Sequence, residues 1–297
     1  MLGSTLARLL ENDGVRVFAV VRPGSKKLSN IPAHAQITIV ECALCDLSLL
    51  SEKIAQPCDA FFHFAWADTF GQGRNDMHSQ IANIQYTVDA VRAAKALHCK
   101  VFVGAGSQAE YGRVEGVLRP DTPCFPENGY GMAKLCAGQM SRAECQALDM
   151  RHIWARILSV YGPADNDFTL ISSTVSALLR GDSPRLTKGE QLWDFLYCED
   201  AARALYAMAQ NGRDGAIYPL GGGNARPLCE YITQLRDIAA PSLPLQFGAV
   251  PYAPKQVMHL EADITALTAD TGFVPETSFE TGINKTVQWI KEQQNEQ

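Results

Sequence analysis

The sequence has no apolar run approaching the ~20 residues that a membrane-spanning helix needs, so no membrane partner is expected. It has no basic excess either. Its 26 Lys and Arg face 32 Asp and Glu, a net charge of −6, which argues against a nucleic-acid partner. The opening residues lack the uninterrupted apolar centre of a secretory leader, because Arg8, Glu11 and Asp13 break it. Among the nine cysteines, Cys42 and Cys45 form one close pair, but no second pair or neighbouring histidine completes a zinc site, so no metal is expected. Free, mostly buried thiols suit a cytoplasmic protein. Repeats and low-complexity tracts are also missing. One further absence concerns the start. Gly3 heads a helix-like run of Leu2, Leu6, Leu9 and Leu10 that Asp13-Gly14 stops before a β-branched strand over 15–21. A helix feeding a parallel strand ordinarily follows a strand itself, and here none precedes it.

What is present is ordinary for an enzyme: 297 residues, 46% apolar and 20% charged. Strand-like runs at 15–21, 36–41, 59–65, 100–104 and 153–160 alternate with helix-like runs at 48–56, 81–97 and 130–148. That alternation predicts an α/β fold, a doubly wound parallel sheet with right-handed crossovers. After Tyr161 the pattern loosens into a helix at 172–179 and irregular loops. A strand at 194–197 and a helix at 201–210 are expected to return to the sheet, and a small lobe is closed by a helix at 283–293. The expected division is a dinucleotide-binding domain over 1–162 with 191–222 returning to it, and a C-terminal substrate lobe from 163–190 and 223–297.

The sharpest chemical signal is Tyr130-Gly-Met-Ala-Lys134. Four residues make one helical turn, so phenol and ammonium share a face. A fixed cation in a partly desolvated cleft can draw a tyrosine from its ordinary pKa of about 10 toward neutrality. Ser107 ends the strand before this helix, where a doubly wound sheet presents side chains to its ligand crevice. Its hydroxyl can bond the oxygen that the tyrosine deprotonates. Asn83, on the long preceding helix, reads first as a polar residue on a solvated face.

In order along the chain stand GSTLARLLENDG, CDL, FHFAW, ANIQYT, GSQAEYG, YGMAK, RILSVYGP, LWDFLYCEDAA and TGFVPETSFETGINKTVQWI. On these the chain resembles the extended short-chain dehydrogenase/reductase family, in its NAD(P)-dependent epimerase/dehydratase branch acting on nucleotide sugars. The resemblance implies a Rossmann sheet and a homodimer built through the helices carrying Asn83 and Tyr130, whose alanine-rich faces would permit close approach. It also implies that Gly3 is the third glycine of a G-x-x-G-x-x-G turn, with a strand and two glycines, roughly ten residues, lacking ahead of it. In the strand order 3-2-1-4-5-6 that strand is central. A truncated gene model, a mis-called start or a fragment is therefore expected, folding less well and binding cofactor weakly as it stands.

By the same resemblance Tyr130 exchanges a proton with a sugar hydroxyl at C4 while a nicotinamide exchanges hydride there. Lys134 holds the nicotinamide ribose and lowers the Tyr130 pKa, Ser107 orients the oxygen, and Asn83 supports Lys134 through a water. Arg22, with Ser25, Lys26 and Lys27, stands where NAD-preferring relatives place an acid, so NADP(H) is favoured over NAD(H); a plain basic surface loop would leave the choice open. Asp46 and Leu47 are expected at the adenine, and Phe64, Ala65 and Trp66 along the cofactor. Ser107-Gln108-Ala109 replaces the Thr-Asp-Glu of the family's 4,6-dehydratases, which disfavours elimination of water and leaves an epimerase or a 4-ketoreductase. Trp193 replaces an arginine that grips the substrate pyrophosphate, and Ser159 replaces an asparagine near it. Trp193 suits stacking on the substrate or plain apolar packing. Arg185, Arg226 and Lys255 are the remaining basic candidates. Two rival readings are a reductase of a non-nucleotide carbonyl compound and a catalytically silent relative.

Overall fold

A computed structural model describes residues 1–295. The chain runs through α1 (Leu2–Asn12), β1 (Val17–Val21), β2 (Ile37–Glu41), α2 (Leu50–Lys53), β3 (Ala60–His63) and α3 (Met77–Ala96). It continues with β4 (Val101–Ser107), α4 (Gly129–Ala147), β5 (Arg151–Ile157), β6 (Ser159–Tyr161) and α5 (Leu170–Leu179). The last part holds β7 (Leu192–Trp193), β8 (Phe195–Tyr197), α6 (Cys198–Asn211), β9 (Ala216–Leu220), β10 (Arg226–Pro227), α7 (Leu228–Ala239), β11 (His259–Leu260), α8 (Thr265–Thr271) and α9 (Phe279–Asn295). No described helix is long and apolar enough to cross a membrane.

Strands β3, β4, β5 and β9 form one parallel sheet in the order β3-β4-β5-β9, and β1 and β2 form a separate parallel pair. β4 is buried along almost its whole length, as a strand covered on both faces must be. Val101 and Val103 meet Leu205 and Met208 of α6 on one face. Phe102 meets Val91 and Ala94 of α3 on the other. This is the doubly wound parallel α/β sheet, but it is interrupted. Among the described residues β1 is paired only with β2, and β3 only with β4.

Helices span the interruption on both sides. Leu6 and Leu10 of α1 cluster with Val17 of β1 and with Phe62 and Phe64 at β3. On the opposite face Phe18, Val40 and Phe61 meet the apolar side of α3. Helix packing thus holds the two sheet pieces together where hydrogen bonds do not. The unpaired edges are those of β1 and β3. Val20 and Ile39 on the outer pair remain exposed.

Several sequence expectations are corrected here. The strand expected over 153–160 stops at Ile157. The chain offsets at Leu158, whose amide donates to Leu220 O at 2.9 Å, and resumes as β6. The segment at 194–197 does not rejoin the main sheet, because β8 pairs in parallel with β6. The helix expected over 48–56 is a 3₁₀ turn, Leu44–Leu49, and a single α-helical turn. Leu47 and Leu50 are both buried, and the three-residue spacing between them suits a 3₁₀ turn.

The second half builds its own core where Ile171, Val175 and Leu178 of α5 meet Leu235 of α7 and Ile283, Val287 and Ile290 of α9. Leu267 and Phe273, at and just after α8, instead pack with Leu205 and Tyr218 against the sheet. Asp194, fully buried, joins the halves by accepting backbone N–H bonds from Gly222 (2.6 Å), Gly223 (3.0 Å) and Ala262 (3.0 Å).

Candidate active site

The first turn of α4 lies against the turn after β4, at the strand ends where an open α/β sheet has its ligand crevice. Asn128 caps that helix, its side chain accepting from Gly131 N at 2.9 Å, and Asn75 Oδ1 accepts from Gly129 N at 2.9 Å. Gly131 allows a close approach: a Cβ there would overlap the carbonyl oxygen of Ala109. The helix start carrying Tyr130 is thereby pressed against the turn carrying Ser107. Tyr130 is half-buried, meets the Trp66 indole edge-on with centroids 6.0 Å apart, and lies beneath the Arg74 guanidinium, 4.4 Å from its ring centre. Burial raises its phenol pKa, while the Ser107 hydroxyl and the Arg74 charge pull it down and Glu110 pushes it slightly up.

Lys134 shares that face, as its spacing implied. It is 4% exposed, donates to Ala105 O of β4 at 2.6 Å and sits 3.7 Å from the Trp66 ring centre. Its Nζ also lies 5.8 Å from the Tyr130 ring centre. The strand carbonyl binds the ammonium, and Arg74 is a second cation beside the Tyr130 ring. Burial pulls Lys134 itself down to about 7, with Glu110 acting in the opposite direction.

Asn83 departs from the solvated-face reading. It is 1% exposed, so it is on no solvated face. Its Oδ1 accepts from Ala67 N and its Nδ2 donates to Ala67 O, both at 2.9 Å. Both polar ends bond the turn after β3. One turn earlier Gln80 accepts from Trp66 Nε1 at 2.9 Å and donates to Asp68 O and Gly73 O. The pair at 80 and 83 therefore fixes the loop that holds Trp66 over Lys134. Gln80 and Arg74 were missed in the sequence; a polar pair three apart on an otherwise apolar helix face was the available signal.

The expected cofactor residues gather along the carboxyl ends of the parallel strands, the place where open α/β sheets bind dinucleotides. Gly3 opens α1, and a Cβ on it would meet Phe64 at 3.6 Å. Met1, at the helix start, makes no side-chain cap bond. Arg22 and Lys26 are exposed just beyond β1, and Ser25 is half-buried between them. Lys27 donates to Asn166 Oδ1 at 3.0 Å. Asp46 is exposed, whereas the Leu47 side chain is 4% exposed in the core beside Leu50, so adenine contact by that side chain is not what the structure offers. Ala65 is exposed and Phe64 half-buried at the end of β3. An exposed cation pair at β1, a glycine at the helix start and a buried lysine at the crevice suit a nicotinamide dinucleotide.

The substrate candidates separate. Trp193 Nε1 donates to Ser159 Oγ at 2.8 Å, and Arg226 stands opposite Trp193 in the β10–β7 ladder. The Arg226 guanidinium lies 4.0 Å from the Tyr231 ring centre and donates to Gln234 Oε1. Lys255 is exposed and acts on Glu127, just before α4. Arg185 is exposed and donates to Ala249 O, paired with the 246–249 loop instead of that cluster. Gln108 is half-buried beside Ser107.

Sequence reading also missed Glu110 and Arg156. Both are at most 2% exposed and form an ion pair at 2.7 Å directly behind Ser107.

Residues 1–221 match the model of the NAD dependent epimerase/dehydratase family. A dTDP-glucose 4,6-dehydratase of Neisseria gonorrhoeae is 27% identical over 291 residues, covering 89% of this chain and 84% of that protein. One of Shigella flexneri is 29% identical over 175 residues, 57% of this chain and 48% of its own length. Among solved structures, a UDP-N-acetylglucosamine 4-epimerase from Methanobrevibacter ruminantium superposes with a TM-score of 0.89 at 23% identity, covering 99% of this chain and 96% of that one. An RMD structure from Pseudomonas aeruginosa, complexed with NADPH, superposes at 0.76 with 20% identity, over 93% of this chain and 99% of that one. At these identities the structures establish the Rossmann fold alone. With the family match running through the crevice and its Ser107, Tyr130 and Lys134, the chain belongs to the NAD dependent epimerase/dehydratase family.

Proposed function

We propose that the protein exchanges hydride and proton at a hydroxyl-bearing carbon, C4, of a nucleotide-linked sugar, as an epimerase or a 4-ketoreductase. The observation that carries this reading is the convergence of Ser107, Tyr130 and Lys134 on one crevice. Tyr130 is the proton-exchanging group; burial holds its pKa above the ordinary value, and Ser107 and Arg74 act against that rise. Ser107 Oγ already accepts from Ala109 N at 3.2 Å, which leaves its own hydrogen to donate to a substrate oxygen. A nicotinamide, when bound, supplies or takes the hydride. Arg22, Ser25 and Lys26 would hold its 2′-phosphate, which favours NADP(H), and Phe64, Ala65 and Trp66 would line it. Trp193, Ser159, Arg226 and Lys255 are candidates for the substrate side.

Elimination of water is disfavoured despite the names of the sequence relatives. Residues 107–109 carry no carboxylate, and the carboxylate that follows, Glu110, is fully buried and bound to Arg156. Homodimer formation is proposed through α3 and α4, where Ala96, Ala143 and Ala147 are exposed. Ala90, Ala93, Ala94, Ala133 and Ala137 are buried within the protomer, whereas Met77, Ile81, Met132 and Met140 are exposed. These exposed residues are the candidates for contact with a second copy. The test is turnover of a panel of nucleotide sugars with NADP(H) and NAD(H). Tyr130→Phe is expected to lower kcat by ~10²–10⁴-fold, the scale of positioned acid/base catalysis, with cofactor affinity kept; unchanged turnover would refute the assignment.

A further inference from the structure

Behind Ser107 lies a buried polar cluster that the proposed chemistry does not itself use. Glu110 is fully buried, and its two oxygens take four contacts. Oε1 accepts from Ser107 N at 2.7 Å and from Trp154 Nε1 at 3.0 Å; Oε2 accepts from Arg156 Nε at 2.7 Å and lies 3.2 Å from Trp154 Nε1. Arg156 in turn stacks on Tyr111, 4.4 Å from its ring centre. The Trp154 indole lies against three glycines. A Cβ at Gly104 or Gly106 of β4 would overlap it, and one at Gly138 of α4 would come within 2.7 Å. The indole is therefore the spacer between the strand ending in Ser107 and the helix carrying Tyr130.

From this geometry we infer that Glu110 is the positioning residue of the site. One carboxylate fixes the Ser107 backbone on β4 and the Trp154 spacer beneath α4, and Arg156 is the counter-charge that lets it do so in the interior. A buried carboxylate persists only when its charge is paired and its lone pairs are used, and here both hold. The consequence is geometric. The turn Gln108–Glu110 closes through a capping box in which Ser107 Oγ meets Ala109 N while Glu110 returns to Ser107 N. The hydroxyl direction toward Tyr130 is thus set by a residue that never touches substrate.

This inference rests on the proposed function for its catalytic consequence, and two double variants separate the parts. Glu110→Gln with Arg156→Met keeps an amide oxygen for Ser107 N and Trp154 Nε1 and removes both charges. Glu110→Val with Arg156→Met removes the clamp as well, and exchanging a buried ion pair for apolar groups commonly leaves stability near its starting value. The first variant is expected to retain kcat within about threefold. The second is expected to lose on the order of 30- to 100-fold in kcat, the scale of a misplacement of about 1 Å, with KM within about threefold. Amide hydrogen exchange at Ser107 should be about tenfold faster or more in the second variant and close to the parent in the first. Equal kcat in the parent and the Val/Met variant, or equal losses in both variants, overturns the positioning role. A parent without turnover of any nucleotide sugar refutes the proposed function instead. The clamp is then read from Ser107 exchange alone: faster exchange in the Val/Met variant supports it, and unchanged exchange overturns it.

Discussion

Replacing Lys134 with methionine should make the protein more stable at neutral and acidic pH while removing its activity. The ammonium is 4% exposed, and burial brings its pKa from 10.5 to about 7. At about 1.36 kcal/mol per unit, that shift of roughly 3.5 units opposes folding by about 5 kcal/mol wherever both states are protonated. Methionine removes this cost but leaves Ala105 O without its donor, a loss of about 1–3 kcal/mol. The net gain is about 2–4 kcal/mol at about pH 6. The sign of its pH dependence follows from proton counting. Between the folded pKa of about 7 and the unfolded 10.5, the unfolded chain holds a proton that the native chain lacks, so the parent gains stability as pH rises. The advantage of the variant should shrink by about 1.4 kcal/mol per pH unit across that window. Urea denaturation of both proteins at about pH 6, 8 and 9.5 measures this. A variant less stable than the parent at pH 6, or an advantage that does not change with pH, would refute the reasoning.

His63, 5% exposed at the end of β3, is held down to about 3 by burial, with Lys134 adding to the effect. Its native state refuses a proton that the unfolded state takes below about 6.5, so stability should fall as pH drops from 6.5 toward 3. His63→Phe should flatten that slope by up to about 1.4 kcal/mol per unit in urea midpoints taken from neutral pH to about pH 5. Arg22→Asp should move the ratio of kcat/KM for NADPH over NADH toward NADH by about 10–100-fold, the loss of a charge-assisted phosphate contact; an unmoved ratio would assign the 22–27 loop no part in cofactor choice. Val20→Lys, on the pair of strands with an open edge, should lower concentration-dependent association in light scattering, and an unchanged association would show that this edge is protected.

The sequence made the βαβ alternation legible because buried parallel strands and alanine-rich helices carry strong periodic signals. It also marked Tyr130, Lys134 and Ser107, whose spacing and strand-end placement survive folding. It could not show that Lys134 turns to Ala105 O, since a shared helix face says nothing of which acceptor wins at the end of a four-carbon chain. Asn83 looked like a surface residue because its true partner, the Ala67 backbone, arrives from a different element. Glu110 lay inside a quoted motif and went unread, because a glutamate is presumed solvated until Arg156, 46 residues on, is brought to it by the β4–β5 pairing. The short strands β7, β10 and β11 have two residues each, too few for any alternation to register.

Deuterium transfer between the sugar and the nicotinamide bears most directly on the central claim. A nucleotide sugar labelled at C4 is incubated with the protein and oxidised cofactor, and the cofactor is analysed by mass spectrometry beside a Tyr130→Phe control. The account requires deuterium on the nicotinamide ring in the parent and at least about 100-fold less in the control. An unlabelled cofactor alongside turnover of the sugar, or equal labelling in both proteins, would contradict it.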